Sequence, residues 1–133
     1  EEPPVIIVCV EKNAYTAELI KETKEFVINI PRKDLLKALW ICGKMSGRKT
    51  DKFKKSGLKT INGKKVKAPL IDGCVGHIEC RLWKTVEAGE CYAFFGRVRN
   101  AEADEKYMKK GLWSEESEIP LHLGGSRIIH FKG

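Results

Sequence analysis

Two adjoining runs, residues 77–86 and 91–99, constrain this chain more than any other feature. In the first, Ile78, Cys80, Leu82, Lys84 and Val86 alternate with His77, Glu79, Arg81, Trp83 and Thr85. That is the period of two imposed by a half-buried strand. The second run is rich in aromatic and β-branched residues, and Gly89 lies in the connection, so the pair predicts a long antiparallel hairpin. Gly96, inside the second arm, marks a bulge or a close approach to the backbone.

The rest of the chain is read around this hairpin. Residues 5–10 form a continuous apolar, β-branched run that predicts a strand buried on both faces. Asn13 and Thr16 both offer caps for a helix carrying Leu19 and Ile20, with Glu18 in its first turn. Residues 26–30 alternate as a second strand that Pro31 closes. Asn29 is unusual in such a run, and a hydrogen bond to a neighbouring loop would account for it. Leu35, Leu36, Leu39 and Trp40 recur at helical spacing, with Trp40 read as core and Gly43 as the stop. A short helix is expected to start at Thr50 or Asp51, bury Phe53 and end at Gly57. Residues 58–69 read as a basic loop or irregular edge strand with an Asn62-Gly63 turn. Residues 104–110 resemble a short charged helix, residues 113–120 an acidic loop, and residues 127–131 a last strand. Many strands with a few short helices predict a mainly β fold, a closed or nearly closed barrel carrying helical insertions. Residues 1–133 are read as a single domain, since this length suits one.

The net charge of +7 is unevenly placed. Residues 44–67 hold ten lysines or arginines against one acid, Asp51, and the remainder is slightly acidic. Such a segment attracts phosphate or nucleic acid by its field, or is simply a solvated loop. The five cysteines are odd in number and contain no Cys-x-x-Cys pair. That argues against a disulfide framework and a zinc ribbon, and points to a reducing cytoplasm. No apolar run approaches the ~20 residues of a membrane-spanning helix. His77, His122 and His130 share no metal-ligand spacing, so no metal site is expected.

Overlapping the start of the basic segment, residues 42–53 read Cys-Gly-Lys-Met-Ser-Gly-Arg-Lys-Thr-Asp-Lys-Phe. A glycine-opened turn, a hydroxyl, an arginine and two lysines run into a helix start. Free backbone N–H groups and the positive end of a helix dipole suit an anion, and Gly47 lets the chain approach it closely. Cys42 beside this loop is either redox-sensitive or buried.

Several stretches in order then resemble a known family. Pro3-Pro4-Val5, Tyr15-Thr16 before Glu18-Leu19-Ile20, Glu25-Phe26-Val27-Ile28-Asn29-Ile30-Pro31, Cys42-Gly43, Ser46-Gly47-Arg48 and Asp51-Lys52-Phe53 are similar to the flavin reductase-like FMN-binding split barrels, with the flavoredoxin branch the nearest match. Ala68-Pro69-Leu70-Ile71, Glu79-Cys80-Arg81-Leu82, Phe95-Gly96-Arg97-Val98 and Leu121-His122-Leu123-Gly124-Gly125 extend the resemblance over nearly the whole chain. It implies an FMN-binding split β-barrel and a homodimer with the flavin near the subunit interface. Its activity would be electron transfer with a redox partner, or NAD(P)H-dependent flavin reduction. Carried over, Thr16, Ser46, Gly47 and Arg48 would face the phosphate and ribityl chain, with Asp51 and Lys52 close behind. Asn29 would sit near the isoalloxazine or support the loop around it. Asp51 and Lys52 read equally as a helix cap and a solvated charge. No protein catalytic residue is required, because the flavin carries the redox chemistry.

Two departures follow. The family begins with two or so further strands carrying a Gly-x-x-Asn segment, so the barrel is expected to be N-terminally incomplete over these 133 residues. Many reductases carry Gly-Asp-His at the hairpin turn, where this chain has Gly89-Glu90-Cys91, which weakens the case for direct NAD(P)H oxidation. Two rivals stand beside this reading. One is a basic β-barrel binding single-stranded nucleic acid, with Trp83 or Tyr92 stacking bases; the other is a flavin-free dimeric relative. Against the first, the basic stretch holds only one aromatic, Phe53.

Overall fold

A computed structural model describes residues 2–130. In chain order the first part comprises β1 (Val5–Glu11), α1 (Tyr15–Thr23), β2 (Glu25–Ile30), α2 (Leu36–Lys44), α3 (Lys52–Ser56), β3 (Thr60–Ile61) and β4 (Leu70–Ile71). The long hairpin follows as β5 (Gly76–Ala88) and β6 (Cys91–Ala103). These give an antiparallel, four-stranded sheet of order β1-β6-β5-β2. Ala88 faces Cys91 across the tip, so Gly89 and Glu90 alone make the turn, with Gly89 at φ 57°. A positive φ at that position is what a tight hairpin turn demands and glycine supplies.

One face of the sheet carries the core. Phe26, Cys80 and Phe94 are buried with Ala17 and Ile20 of α1, flanked by Ile6, Val8, Ile28, Leu82 and Tyr92 among others. The three-residue spacing of Ala17 and Ile20 puts both on one side of the helix, which lies over the sheet. Lys24 then adopts the left-handed conformation at φ 61°, and its carbonyl accepts the N–H of Leu82, fastening the helix end to β5.

Gly96 shows both features its position implied. The register slips between Leu82 and Lys84, which face Gly96 and Phe95, so Trp83 is the extra residue of a bulge in the opposite strand. A Cβ on Gly96 would also lie 2.9 Å from the Cβ of Cys80 and inside the Phe26 ring's envelope. The ring of Phe26 therefore occupies the space a side chain would need.

The first strand departs from expectation. Among the described residues β1 pairs only with β6, and it alternates between half-buried and exposed residues, with Val5 42% and Ile7 54% exposed. The apolar run reads as doubly buried, but an edge position leaves its odd-numbered side chains on the outer face. The charged helix expected at 104–110 is instead a turn leading into β7 (Met108–Lys109), which pairs with β8 (Leu112–Trp113). A single 3-10 turn at Glu115–Ser117 occupies the acidic loop. The end of the described chain is the hairpin of β9 (Pro120–Gly124) and β10 (Arg127–His130). Phe131, expected in the last strand, lies outside the described residues.

On the outer face, the segment 62–71 covers β2 and β5 and is tied down by side chains. Glu25 Oε1 accepts the N–H groups of Lys67 and Ala68 at 2.6 and 2.8 Å. Glu79 Oε1 accepts those of Lys65 and Val66 at 2.8 and 3.1 Å, and Asn29 Oδ1 accepts that of Ile71 at 2.8 Å. The predicted basic loop is thus an ordered cover, with the short β3–β4 pair at its base.

Gly96→Ala should lose about 1–3 kcal/mol of stability, because the added methyl meets Phe26 and Cys80 in a filled core. Urea unfolding checks this; a variant melting with wild type would show that the two side chains can step aside.

Candidate functional site

The site grows from two turns that the fold brings together. The first precedes α1. Ala14 is the N-cap, in extended conformation and without a side-chain cap, so the capping expected of Asn13 or Thr16 does not occur. Thr16 lies within the first helical turn instead. The first backbone N–H groups of that turn have no acceptor within the helix.

The second turn follows α2. The helix continues through Gly43 to Lys44 and stops at Met45, which is extended, so Gly43 is not the terminator expected. Ser46 then organises the turn: its carbonyl accepts the N–H groups of Lys49 and Thr50 at 3.1 Å each, and its Oγ that of Arg48 at 3.3 Å. Asp51 caps α3 by accepting the N–H of Lys54 at 3.1 Å, and Gly57 closes the helix at φ 72°. Phe53, expected in the core, is 40% exposed, because a five-residue helix against α2 has no second layer to bury it.

Between these turns lies a cleft of about 700 Å³, with Ile71 also in its wall. It falls within the ~300–1,000 Å³ typical of small-molecule sites. Thr16, Ser46, Gly47, Arg48, Asp51 and Lys52 all line it, although Thr16 is some thirty residues away in sequence. Gly47 abuts Tyr15, where a Cβ would sit 3.0 Å from the ring.

Arg48 clasps the two turns. One guanidinium nitrogen donates to the Asn13 carbonyl at 2.8 Å, another to Glu18 Oε2 at 2.5 Å, and the group lies over the Tyr15 ring. Lys52 Nζ donates to the Cys42 carbonyl at 2.7 Å, joining α3 to the end of α2. Cys42 is half-buried in the same wall. The cleft's charge is nearly balanced: Lys44, Arg48 and Lys52 face Glu11 and Asp51. Most of the lysines that make residues 44–67 basic point elsewhere.

Asn29 is not in the lining. It holds Ile71 through that residue's N–H, and His77 Nε2 meets the Ile71 carbonyl at 2.8 Å. It therefore acts on the wall of the cleft at one remove. His122 is away from the cleft, edge-on to a half-buried Trp40 and 3.0 Å from the Gly125 carbonyl. Of the two aromatic residues considered for base stacking, Tyr92 flanks the core beneath Lys21, and exposed Trp83 carries Arg97 over its ring.

Tyr15, Glu18 and the Asn13 carbonyl complete the site, and sequence reasoning gave them no such part. Glu18 carries a signal of the wrong kind, since an acid in a first helical turn already suits the dipole. Glu79 is missed altogether. Its carboxyl has no exposed surface, and burial pushes its pKa up, but N–H groups of Lys65, Val66 and Lys64 and the Asn100 amide outweigh that and hold it below the ordinary carboxylate value.

With this geometry in view, the flavin reductase like domain family matches residues 1–120. The chain belongs to that family. An uncharacterised protein of Archaeoglobus fulgidus is 41% identical over 96 residues, covering 72% of this chain and 54% of that protein. The flavoredoxin of Methanosarcina acetivorans superposes with a TM-score of 0.86 at 31% identity, over 98% of this chain and 70% of its own. That of Desulfovibrio vulgaris (Miyazaki F) gives 0.87 at 28% identity, over 97% and 70%. This flavin reductase-like domain thus spans about half the length of the first relative and 70% of the flavoredoxins. The curled antiparallel sheet is the split-barrel fold expected from the sequence. Among the described residues, no helix is long and apolar enough to cross a membrane.

Glu79 gives the domain an acid-sensitive fastening. Its folded pKa lies below the unfolded one, so its contribution is complete above the unfolded value and is lost as pH falls through the folded value. Glu79→Gln should cost about 1–3 kcal/mol at neutral pH and flatten the loss of stability on acidification. Urea unfolding of both proteins from neutral to acid pH measures it; parallel profiles would remove Glu79 from this role.

Proposed function

We propose that the cleft holds the phosphate and ribityl end of FMN, and that the chain acts as a flavoprotein, passing electrons between carriers or reducing flavin at the expense of NAD(P)H. The observation that carries this reading is the convergence on one cleft of a helix start, two hydroxyls, a close-approach glycine and a guanidinium from separate segments. Those are the groups a phosphate dianion requires. Family membership and the flavoredoxin likeness supply the flavin itself.

The residues present fit such a group. Arg48 has five N–H donors and uses two on Asn13 and Glu18, so three are left to face a ligand. Its clasp holds the loop in place beforehand, which lowers the entropy cost of binding. Thr16 and Ser46 offer hydroxyls, and Lys44 and Lys52 add positive charge. Asp51 acts through the cap that fixes α3, and Asn29 through Ile71. A homodimer that completes the flavin's surroundings belongs to the same proposal.

Bound FMN would supply hydride and electron transfer chemistry. The chain's own residues bind and orient it, with the cations of the cleft balancing the phosphate charge.

Flavin absorption bands should stay with the protein through gel filtration after FMN is added, and their loss on the column would sink the proposal. Arg48→Ala should weaken FMN by roughly 10–100-fold, the scale of a charged hydrogen bond, while changing riboflavin little. Equal weakening of both would take Arg48 away from the phosphate. Anaerobic mixing of the FMN-loaded protein with NADH and NADPH then separates the two activities: bleaching indicates a reductase, and an unchanged spectrum leaves electron carriage.

A further inference from the structure

A second cleft, of about 680 Å³, opens near the other end of α1, where Thr23, Glu25 and Arg81 meet Lys64, Lys65 and Lys67. At 1.5 Å per residue, α1 places Thr23 about 12 Å along its axis from Tyr15 at the first cleft. Nothing in the flavin reading uses these residues.

Three features separate this cluster from an ordinary solvated lysine loop. Its backbone is fixed, because Glu25 and Glu79 accept four N–H groups from residues 65–68. The carboxylates beneath the lysines thus take backbone donors. Lys64 pairs with Glu102, but among the described residues no carboxylate lies within ion-pair reach of Lys65, Lys67, Arg81 or Arg97. Second, Arg81 stands directly opposite Arg97 across the β5–β6 ladder, while Glu25, opposite it on β2, spends its Oε1 on the N–H groups of Lys67 and Ala68. Like charges so placed destabilise a sheet, and a binding function would account for them. Third, Trp83 beside them is 53% exposed, with the Arg97 guanidinium 4.6 Å from its ring centre. Exposed tryptophan and arginine together are the composition of a protein-binding hot spot.

We propose that this cleft and the adjoining Arg97–Trp83 face dock an acidic segment of a partner protein. Forked guanidiniums, and ammonium groups carried on a fixed backbone, match carboxylates on a chain that lies across them. A protein is favoured over single-stranded nucleic acid because bases need successive free aromatic faces, whereas here a single tryptophan carries an arginine over its ring. The outer face of the sheet, formed by β1, β6 and β5, supplies an apolar border through Val5 and Ile7.

The probe is a fluorescein-labelled octaglutamate peptide, titrated by anisotropy into the full chain at low salt, with a thymidine octanucleotide in parallel. The peptide should bind, weaken as salt rises, and lose at least about tenfold in affinity in the K65E/K67E/R81E variant, since like-charge contacts oppose docking. A charge-matched control, K49E/K54E/K55E, should keep most of the binding. Thermal melting confirms that both variants fold, and the first should retain its FMN affinity, which keeps this surface distinct from the flavin site. Equal loss in both variants would mean that only net charge is sensed and would overturn the proposal. So would tighter, variant-sensitive binding of the oligonucleotide. Salt-sensitive self-association abolished by K65E/K67E/R81E would assign the face to a second copy, whose exposed Glu115 and Glu116 would supply the acids, and would overturn a foreign partner.

Discussion

A carboxylate without exposed surface persists as an anion only when donors surround it, and Glu79 meets that condition with backbone N–H groups from the segment it holds and the amide of Asn100. Much of the molecule's outer side depends on this arrangement. Glu79 fixes residues 65 and 66, Glu25 fixes the next two, and Asn29 fixes Ile71. A stretch that would repel itself as a free chain of lysines becomes a wall with defined geometry. Gly63 belongs to the same device, since a Cβ there would lie 2.5 Å from a Glu79 oxygen.

The same logic works on a smaller scale at the first cleft. Arg48 crosses from one turn to the other, and Lys52 ties α3 to the end of α2. Exposed ion pairs contribute little to global stability, so the value of the Arg48–Glu18 contact lies in position. It keeps two loops, separated widely in sequence, facing one another across the cleft. α1 then serves both regions, with its start at the first cleft and its end, through Lys24, joined to the sheet near the basic one.

Much of this was legible beforehand because the signals are local. The hairpin followed from alternation, the end of β2 from Pro31, and α3 from Asp51 and Gly57. Six of the seven residues singled out for cofactor contact line one cleft, and Asn29 supports its wall. The errors share a cause. Residues 5–10 are apolar on both faces, yet burial depends on sheet neighbours, and among the described residues β1 has one. Phe53 sits at a helical core position, yet its helix is too short and too peripheral to cover it. Gly43 has the identity of a terminator, but α2 carries on past it because the chain turns only at Met45.

The sequence by itself determined the strand pattern, the turn glycines, the anion-suited loop and the family. Those rest on side-chain period and backbone freedom, which act over a few residues. Only the tertiary structure decided that six of the ten basic residues divide between two clefts, that Glu18 neutralises Arg48, and that an outward-facing glutamate on β5 is buried. Each of these depends on which distant segment lies across the sheet, and a carboxylate on the outer face looks solvated until the segment that covers it is in place.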